Sequence, residues 1–200
     1  MQRMTSARVA TGDAERGADR ILDIVVELLE TEGYDAVQLR EVARRARTSL
    51  ATIYKRYGTR DELILAALDC WMEDNRYAGL TRPHDKDESL YAGVMRVLRT
   101  IFEPWERHPA VLTAYFRART SPGGQKLVRR GFDAAVPAVM EVLADADPEF
   151  VRDMDTIVSS VAYGLLGRYA AGEIAVTEIL HGLDRTVHLL TASYEASRLG

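Results

Sequence analysis

The stretch RRARTSLATIYKRYGTRDEL, residues 44–63, sets cations beside small residues and hydroxyls, and its reading decides that of the whole chain. From Gln38 to Arg60 the basic residues are Arg40, Arg44, Arg45, Arg47, Lys55, Arg56 and Arg60, against the single acid Glu41, a local charge of +6. The 200-residue chain has a net charge of −4, so the remainder carries −10. Surfaces ordinarily mix both signs. Segregation of this kind points to a polyanionic partner for one small segment and excludes one for the rest.

Helical periodicity frames the stretch on both sides. Ile21, Ile24, Val25, Leu28 and Leu29 form one apolar stripe, which predicts a helix from about Glu15 to Glu32 with Gly33 as its stop. Leu39, Val42, Ala43 and Ala46 repeat the pattern over a second, shorter helix. The hydroxyls of Thr48 and Ser49 open a third, from about Ser49 to Arg56. After Gly58, Thr59 caps a fourth helix expected to run to about Tyr77, with Asp61 and Glu62 in the first turn, where the helix dipole favours acids.

The second and third helices are joined by Arg47-Thr48-Ser49, which is helix-turn-helix spacing. In that arrangement the third helix enters the major groove of double-stranded DNA with its N-terminal half at the base edges. Ser49, Ala51 and Thr52 are small enough for close approach. Lys55, Arg56 and Arg60 supply charge for phosphates, and Tyr54 a hydroxyl. Leu50 has two readings, contact with a thymine methyl or packing against the first helix. The competing reading of the whole segment is a solvated basic face on a small bundle.

Downstream, helices are expected at about 89–107, 110–119, 125–143, 149–171 and 175–197, with breaks at GLTRPHDKDES, His108-Pro109 and TSPGG, and with Pro148 at a first helical position. No segment alternates strictly, so the fold class is all-α. Residues 1–14 read as a disordered N-terminal arm. The single cysteine, Cys70, excludes an intrachain disulfide framework and a multi-cysteine zinc site, and fits a reducing cytoplasm. The opening residues lack a signal-peptide core, and no run approaches the ~18 apolar residues of a membrane span, so no membrane partner is expected.

Residues 34–68, YDAVQLREVARRARTSLATIYKRYGTRDELILAAL, resemble the DNA-binding signature of TetR-family transcriptional regulators. Leu39-Arg40-Glu41-Val42-Ala43 match the family's second helix and Ala51-Thr52-Ile53-Tyr54 its recognition helix. Tyr57 matches the aromatic that follows, and Thr59-Arg60-Asp61-Glu62-Leu63 the start of the fourth helix. Three positions depart from the pattern: Gln38 stands where threonine is frequent, and Arg47 and Ala51 where glycine is. If position 47 is left-handed, arginine costs about 1–2 kcal/mol there, set against an added phosphate contact.

The resemblance implies a helix-turn-helix DNA-binding domain over residues 15–60 and a helical-bundle ligand-binding and dimerisation domain over 61–200. It implies a homodimeric repressor on a near-palindromic operator, released by a small-molecule effector, with the fourth helix as the lever. The DNA-binding set is then Gln38, Arg47, Ser49, Leu50, Ala51, Thr52, Tyr54, Lys55, Arg56 and Arg60. YDAVQLREVARRA, with echoes in WERHPAVLTAYFRA and GLDRTVHLL, also resembles the branch that represses steroid and fatty-acid catabolism, which implies a bulky apolar or acyl-type effector.

Candidates for the lining of an effector pocket are Phe102, Trp105, Phe116, Arg119, Met140 and Tyr163. For each aromatic, plain core packing is the alternative. Arg119 is read either as a receiver of a carboxylate or phosphate or as a surface cation. Small residues at Ser160, Gly164, Gly167 and Ala171, and the stripe Ile179, Leu183, Thr186 and Leu190, are expected to form the dimer surface as a four-helix interface.

His181, Asp184 and His188 share a helical face, but no cysteine lies near and the segment reads as a dimer helix, so no metal is expected. Ser159-Ser160 lack a nucleophile elbow, and Gly123-Gly124 lack the lysine of a phosphate loop, so neither an enzyme nor a cofactor is expected. Two rival functions stay open: a DNA-binding activator or constitutive regulator without effector, and a helical carrier or enzyme whose basic patch binds an acidic partner.

Overall fold

Ile21, Ile24, Val25, Leu28 and Leu29 are all buried on one face of the first helix, as their spacing requires. Each withdrawal of such a side chain from water is worth about 1.5–3 kcal/mol, so this stripe ties the helix to its unit. The computed structural model describes residues 20–81 and 87–198. Within them the chain forms nine α-helices and no strand: α1 (20–31), α2 (Leu39–Ala46), α3 (Leu50–Tyr57), α4 (Arg60–Met72), α5 (Leu90–Arg107), α6 (Pro109–Ala118), α7 (Gln125–Val142), α8 (Pro148–Ala170) and α9 (Thr177–Arg198). The predicted arm over 1–14 and the predicted start of α1 lie outside the described residues.

Packing divides the described chain into two compact units. One runs to Trp71 and includes Ala110–Leu127; the other comprises Met72–Pro109 and the chain from Val128 onward. The boundary expected at residue 60 follows the helix-turn-helix segment, whereas these units follow packing.

In the first unit, α1 closes where the N–H groups of Glu32 and Gly33 both donate to the Leu28 carbonyl at 2.9 Å. Gly33 then takes φ +85°, a conformation that an L side chain resists, and the chain enters a short 3-10 turn, Tyr34–Ala36. Val42, Ala43 and Ala46 bury one face of α2, and Ile53 alone is buried on α3. Leu63, Ile64, Ala67, Leu68 and Trp71 extend this core along α4, and Val111, Leu112, Ala114 and Ala118 along α6. Thr59 caps α4 as predicted, its hydroxyl oxygen accepting from the Glu62 N–H at 3.1 Å.

The second unit opens with a departure from expectation. The regular fourth helix stops at Met72, and the chain continues as a π turn, Glu73–Tyr77, and a 3-10 turn, Ala78–Thr81. The π register sets Tyr77 five residues beyond Met72, where its hydroxyl meets the Met72 sulfur at 3.6 Å. It also leaves Arg76 buried, donating from Nε to the Ile101 carbonyl at 2.7 Å with its guanidinium 4.4 Å from the Trp105 ring centroid. Local spacing gives no warning of this widening, and burial of a charged residue such as Arg76 is not something hydrophobic periodicity can indicate.

Helix α9 packs along both α5 and α8. Its buried residues, Ile179, Leu183, Val187 and Thr191, recur every four positions. Of the eight residues expected to meet a second copy, two of the four on α9 are therefore core: Ile179 is 1% exposed and Leu183 wholly enclosed. Periodicity shows that a face is buried but not against which helix, and here the helices are the chain's own. By contrast α8 buries only Phe150 and Met154 over its 23 residues.

Truncating Leu183 to alanine is expected to destabilise the protomer itself by about 2–5 kcal/mol, the usual cost of such a core cavity. Chemical denaturation monitored by circular dichroism measures this; a ΔΔG near zero would place Leu183 outside the core.

Candidate nucleic-acid interface

The handover from α2 to α3 is built from local hydrogen bonds. Arg47 ends α2 at φ 52°, ψ 43°, the left-handed region, and is the one non-glycine residue at positive φ among those described. The Thr48 N–H reaches back to the Ala43 carbonyl at 3.0 Å. Ser49 caps α3, its hydroxyl oxygen accepting from the Thr52 N–H at 3.0 Å and lying 2.7 Å from the Thr52 hydroxyl. Gly58, at φ +65°, closes the helix. With Ile53 turned inward, α3 exposes Ala51, Thr52, Tyr54, Lys55 and Arg56, while Leu50 is half-buried.

The seven cations are not equivalent. Arg44 grips Glu41 with two hydrogen bonds, Nε to Oε2 at 2.8 Å and Nη2 to Oε1 at 2.6 Å. Arg45 donates to the same Glu41 and, across to the end of α1, to Glu32, each at 2.6 Å. These donors hold the Glu41 carboxyl down at about 2, Arg44 contributing most and Arg45 next. Arg60 is half-buried, with its guanidinium donating to the carbonyls of Val37 and Tyr34. Arg40, Arg47, Lys55 and Arg56 are the exposed cations of this segment with Arg44, which is already paired.

Gln38 stands exposed at the start of α2 in extended conformation and does not cap it; its Nε2 donates to the Asp35 carbonyl at 2.9 Å. Sequence reasoning missed Glu32, the acid that ties Arg45 to α1. It also missed Tyr34, Asp35 and Arg117, where Arg117 makes a two-pronged ion pair with Asp35 at 2.8 and 3.0 Å. No local signal could have linked positions 35 and 117.

The six residues proposed for an effector lining are not gathered in one place. Phe102 and Trp105 are buried on α5, whereas Met140 and Tyr163 are about half exposed, at 49% and 50%. Phe116 and Arg119 belong to the first unit, with the Arg119 guanidinium 4.6 Å from the Phe116 ring. The second unit holds a cavity of about 490 Å³ with Tyr77, Leu80, Ala134 and Pro137 among its walls and the Arg130–Glu73 ion pair at its edge, and none of the six lines it.

Ser160, Gly164, Gly167 and Ala171 are all exposed, while Thr186 and Leu190 are half-buried. Asp184 accepts a hydrogen bond from the Tyr91 hydroxyl at 2.6 Å and faces Arg99, and no group of histidine, cysteine and acid suited to a metal occurs among the described residues.

Comparison with known proteins matches residues 21–67 to the description "Bacterial regulatory proteins, tetR family" and residues 88–190 to "Tetracyclin repressor-like, C-terminal domain". The HTH-type transcriptional repressor KstR of Rhodococcus jostii is 26% identical over 181 residues, covering 86% of this chain and 81% of the relative. That of Mycolicibacterium smegmatis is 24% identical over 193 residues, covering 90% and 89%. In fold, a crystal structure of a TetR transcriptional regulator from a Rhodococcus species superposes with a TM-score of 0.64 at 19% identity, over 88% of this chain and 95% of that one.

The Glu41 hub has a pH signature. Its carboxyl lies near 2 in the folded chain against an ordinary 4.5, so the stabilisation it provides is complete above 4.5 and is lost as pH falls toward 2. Melting temperatures of the wild type and Glu41→Gln should differ by a constant amount above about pH 5 and converge at the acid end; a gap that persists to pH 2 would remove the carboxylate as its source.

Proposed function

The chain belongs to the TetR family of bacterial regulators, and on that premise we propose that it is a homodimeric repressor that reads a near-palindromic operator with α3. The observation that carries the reading is the exposed edge of α3, Ala51, Thr52, Tyr54, Lys55 and Arg56, held between the capping Ser49 and the positive-φ Gly58. A small leading edge followed by cations suits base edges first and phosphates second. Residues 15–60 form the reading domain in this proposal and 61–200 the regulatory one. Gln38, Arg47, Tyr54, Lys55 and Arg56 take phosphates, while Ser49, Leu50, Ala51 and Thr52 lie toward the bases. The repressor assignment draws on the two KstR relatives, which carry that function in their names.

Dimerisation through α8 rests on a cost that the protomer leaves unexplained. A glycine in a helix interior destabilises it by about 1 kcal/mol relative to alanine. At both Gly164 and Gly167 an added Cβ would meet nothing within 4 Å. The missing side chains make room for a helix of a second copy, flanked by Ser160 and Ala171. Twofold symmetry then presents two α3 helices to successive major grooves.

The effector is proposed to be a bulky apolar or acyl-type molecule held in the second unit, and the protein to act in the cytoplasm. To empty an occupied operator the effector must favour the released state by about 5 kcal/mol. Titrating acyl-CoA thioesters into the protein bound to a duplex selected from a random pool tests this: release supports the proposal, and retention at saturating thioester rejects that effector class.

Two variants test the architecture. Arg47→Gly should raise stability by about 1 kcal/mol by relieving the left-handed strain, yet weaken DNA binding and flatten the log–log salt slope by about one. Duplex titrations at several salt concentrations beside urea melts measure both, and an unchanged slope would take Arg47 off the phosphates. Gly164→Leu with Gly167→Leu should leave the protomer folded and dissociate the dimer in sedimentation; a persistent dimer would move the interface elsewhere.

A further inference from the structure

Arg60 opens α4, where the helix dipole disfavours a cation. Its use is internal. Nε donates to the Val37 carbonyl and Nη2 to the Tyr34 carbonyl, and the guanidinium lies 4.8 Å from the Tyr34 ring centroid. A second guanidinium, that of Arg117 on α6, lies 4.3 Å from the same centroid and forks onto the Asp35 carboxylate. Those hydrogen bonds hold the Asp35 carboxyl below its ordinary range.

Between them the two arginines engage the Tyr34 and Val37 carbonyls, the Asp35 carboxylate and the Tyr34 ring on the turn that leads into α2. The Asp35 carbonyl accepts from the Gln38 side chain, and the Gly33 and Ala36 carbonyls accept from backbone N–H groups of the turn. Val37, next in line, is wholly buried. The direction in which α2 starts, and with it the α2–α3 pair, is thus set by side chains from α4 and α6.

We infer that Arg60 and Arg117 form a clamp on Tyr34-Asp35 and serve operator reading as positioning residues, not as phosphate contacts. Two of Arg60's five donors go to carbonyls and two of Arg117's to a carboxylate, which aims both guanidinium planes at the turn. Arg60 keeps its charge but directs it at the turn, and a residue 82 positions from Asp35 is drawn into the reading function.

The inference rests on the DNA-binding reading, and its test separates the two. Full-length wild type selects its preferred duplex from a random pool. Affinity for that duplex is then measured by fluorescence anisotropy across a salt series for Arg60→Gln, Arg117→Gln, Asp35→Asn and the exchanged pair Asp35→Arg with Arg117→Asp. In parallel, amide hydrogen exchange over residues 36–38 is followed without DNA.

Each single variant should weaken operator binding by about tenfold or more, the worth of a charged hydrogen bond, with the log–log salt slope unchanged. Exchange at 36–38 should quicken, and the exchanged pair should recover part of both. A slope reduced by about one in Arg60→Gln or Arg117→Gln identifies a phosphate contact and overturns the clamp, as does wild-type affinity together with wild-type exchange. Should Arg60→Gln fail to fold, the exposed pair of Arg117 and Asp35 still decides. If the wild type selects no duplex, the DNA-binding reading fails, and the exchange data alone judge the clamp.

Discussion

A single anchored side chain, Ile53, makes the short third helix usable. Eight residues are too few to hold a helix in water, since the cost of nucleation is spread over so few bonds. Burial of Ile53 fixes the helix to its unit, and the Ser49 cap satisfies an N–H at its start. Everything else on α3 can then be chosen for what it presents outward. Were a second side chain of α3 needed for the core, the exposed edge would narrow by a residue. The left-handed residue between α2 and α3 belongs to the same constraint, because a sharp reversal must precede the cap. Arginine accepts that conformation at a cost glycine would not incur, which argues that its side chain contributes on the surface.

Charge in the segment is sorted by partner. One acid, Glu41, gathers two arginines, and with Glu32 it links α2 back to the end of α1. Arg60 is committed to backbone carbonyls. Lys55 and Arg56 lie on the exposed edge of α3, and Arg40 and Arg47 are exposed on and after α2. A net charge is a count, and what a polyanion encounters is the subset that lies exposed. Exposed ion pairs contribute little individually, so the Glu41 hub acts mainly by orienting its arginines and joining two helices.

The second unit shows the same division between what a helix buries and what it leaves open. Helix α9 gives its apolar stripe to α5 and α8, whereas α8 leaves a run of small residues facing outward. Two glycines with empty surroundings are costly in an isolated helix and sensible against another one. This contrast supplies the argument for a second copy on α8, and it shifts the weight of the interface away from Ile179 and Leu183.

The amino-acid sequence was enough for the all-α class, the α1 stripe, the helix-turn-helix with its Ser49 and Thr59 caps, and the family signature. All of these follow from short-range rules: spacing along a helix, hydroxyls at helix starts, glycine at positive φ. Among the described residues helix ends were legible to within a few residues, except past Met72, where a π turn begins that local spacing does not mark. What only the tertiary structure decided are facts of pairing. Periodicity could not say that α9 buries its stripe against its own chain, that Arg60 turns inward, or that Arg117 meets Asp35. Such pairings depend on which distant elements come together, and neither partner carries a local trace of the other.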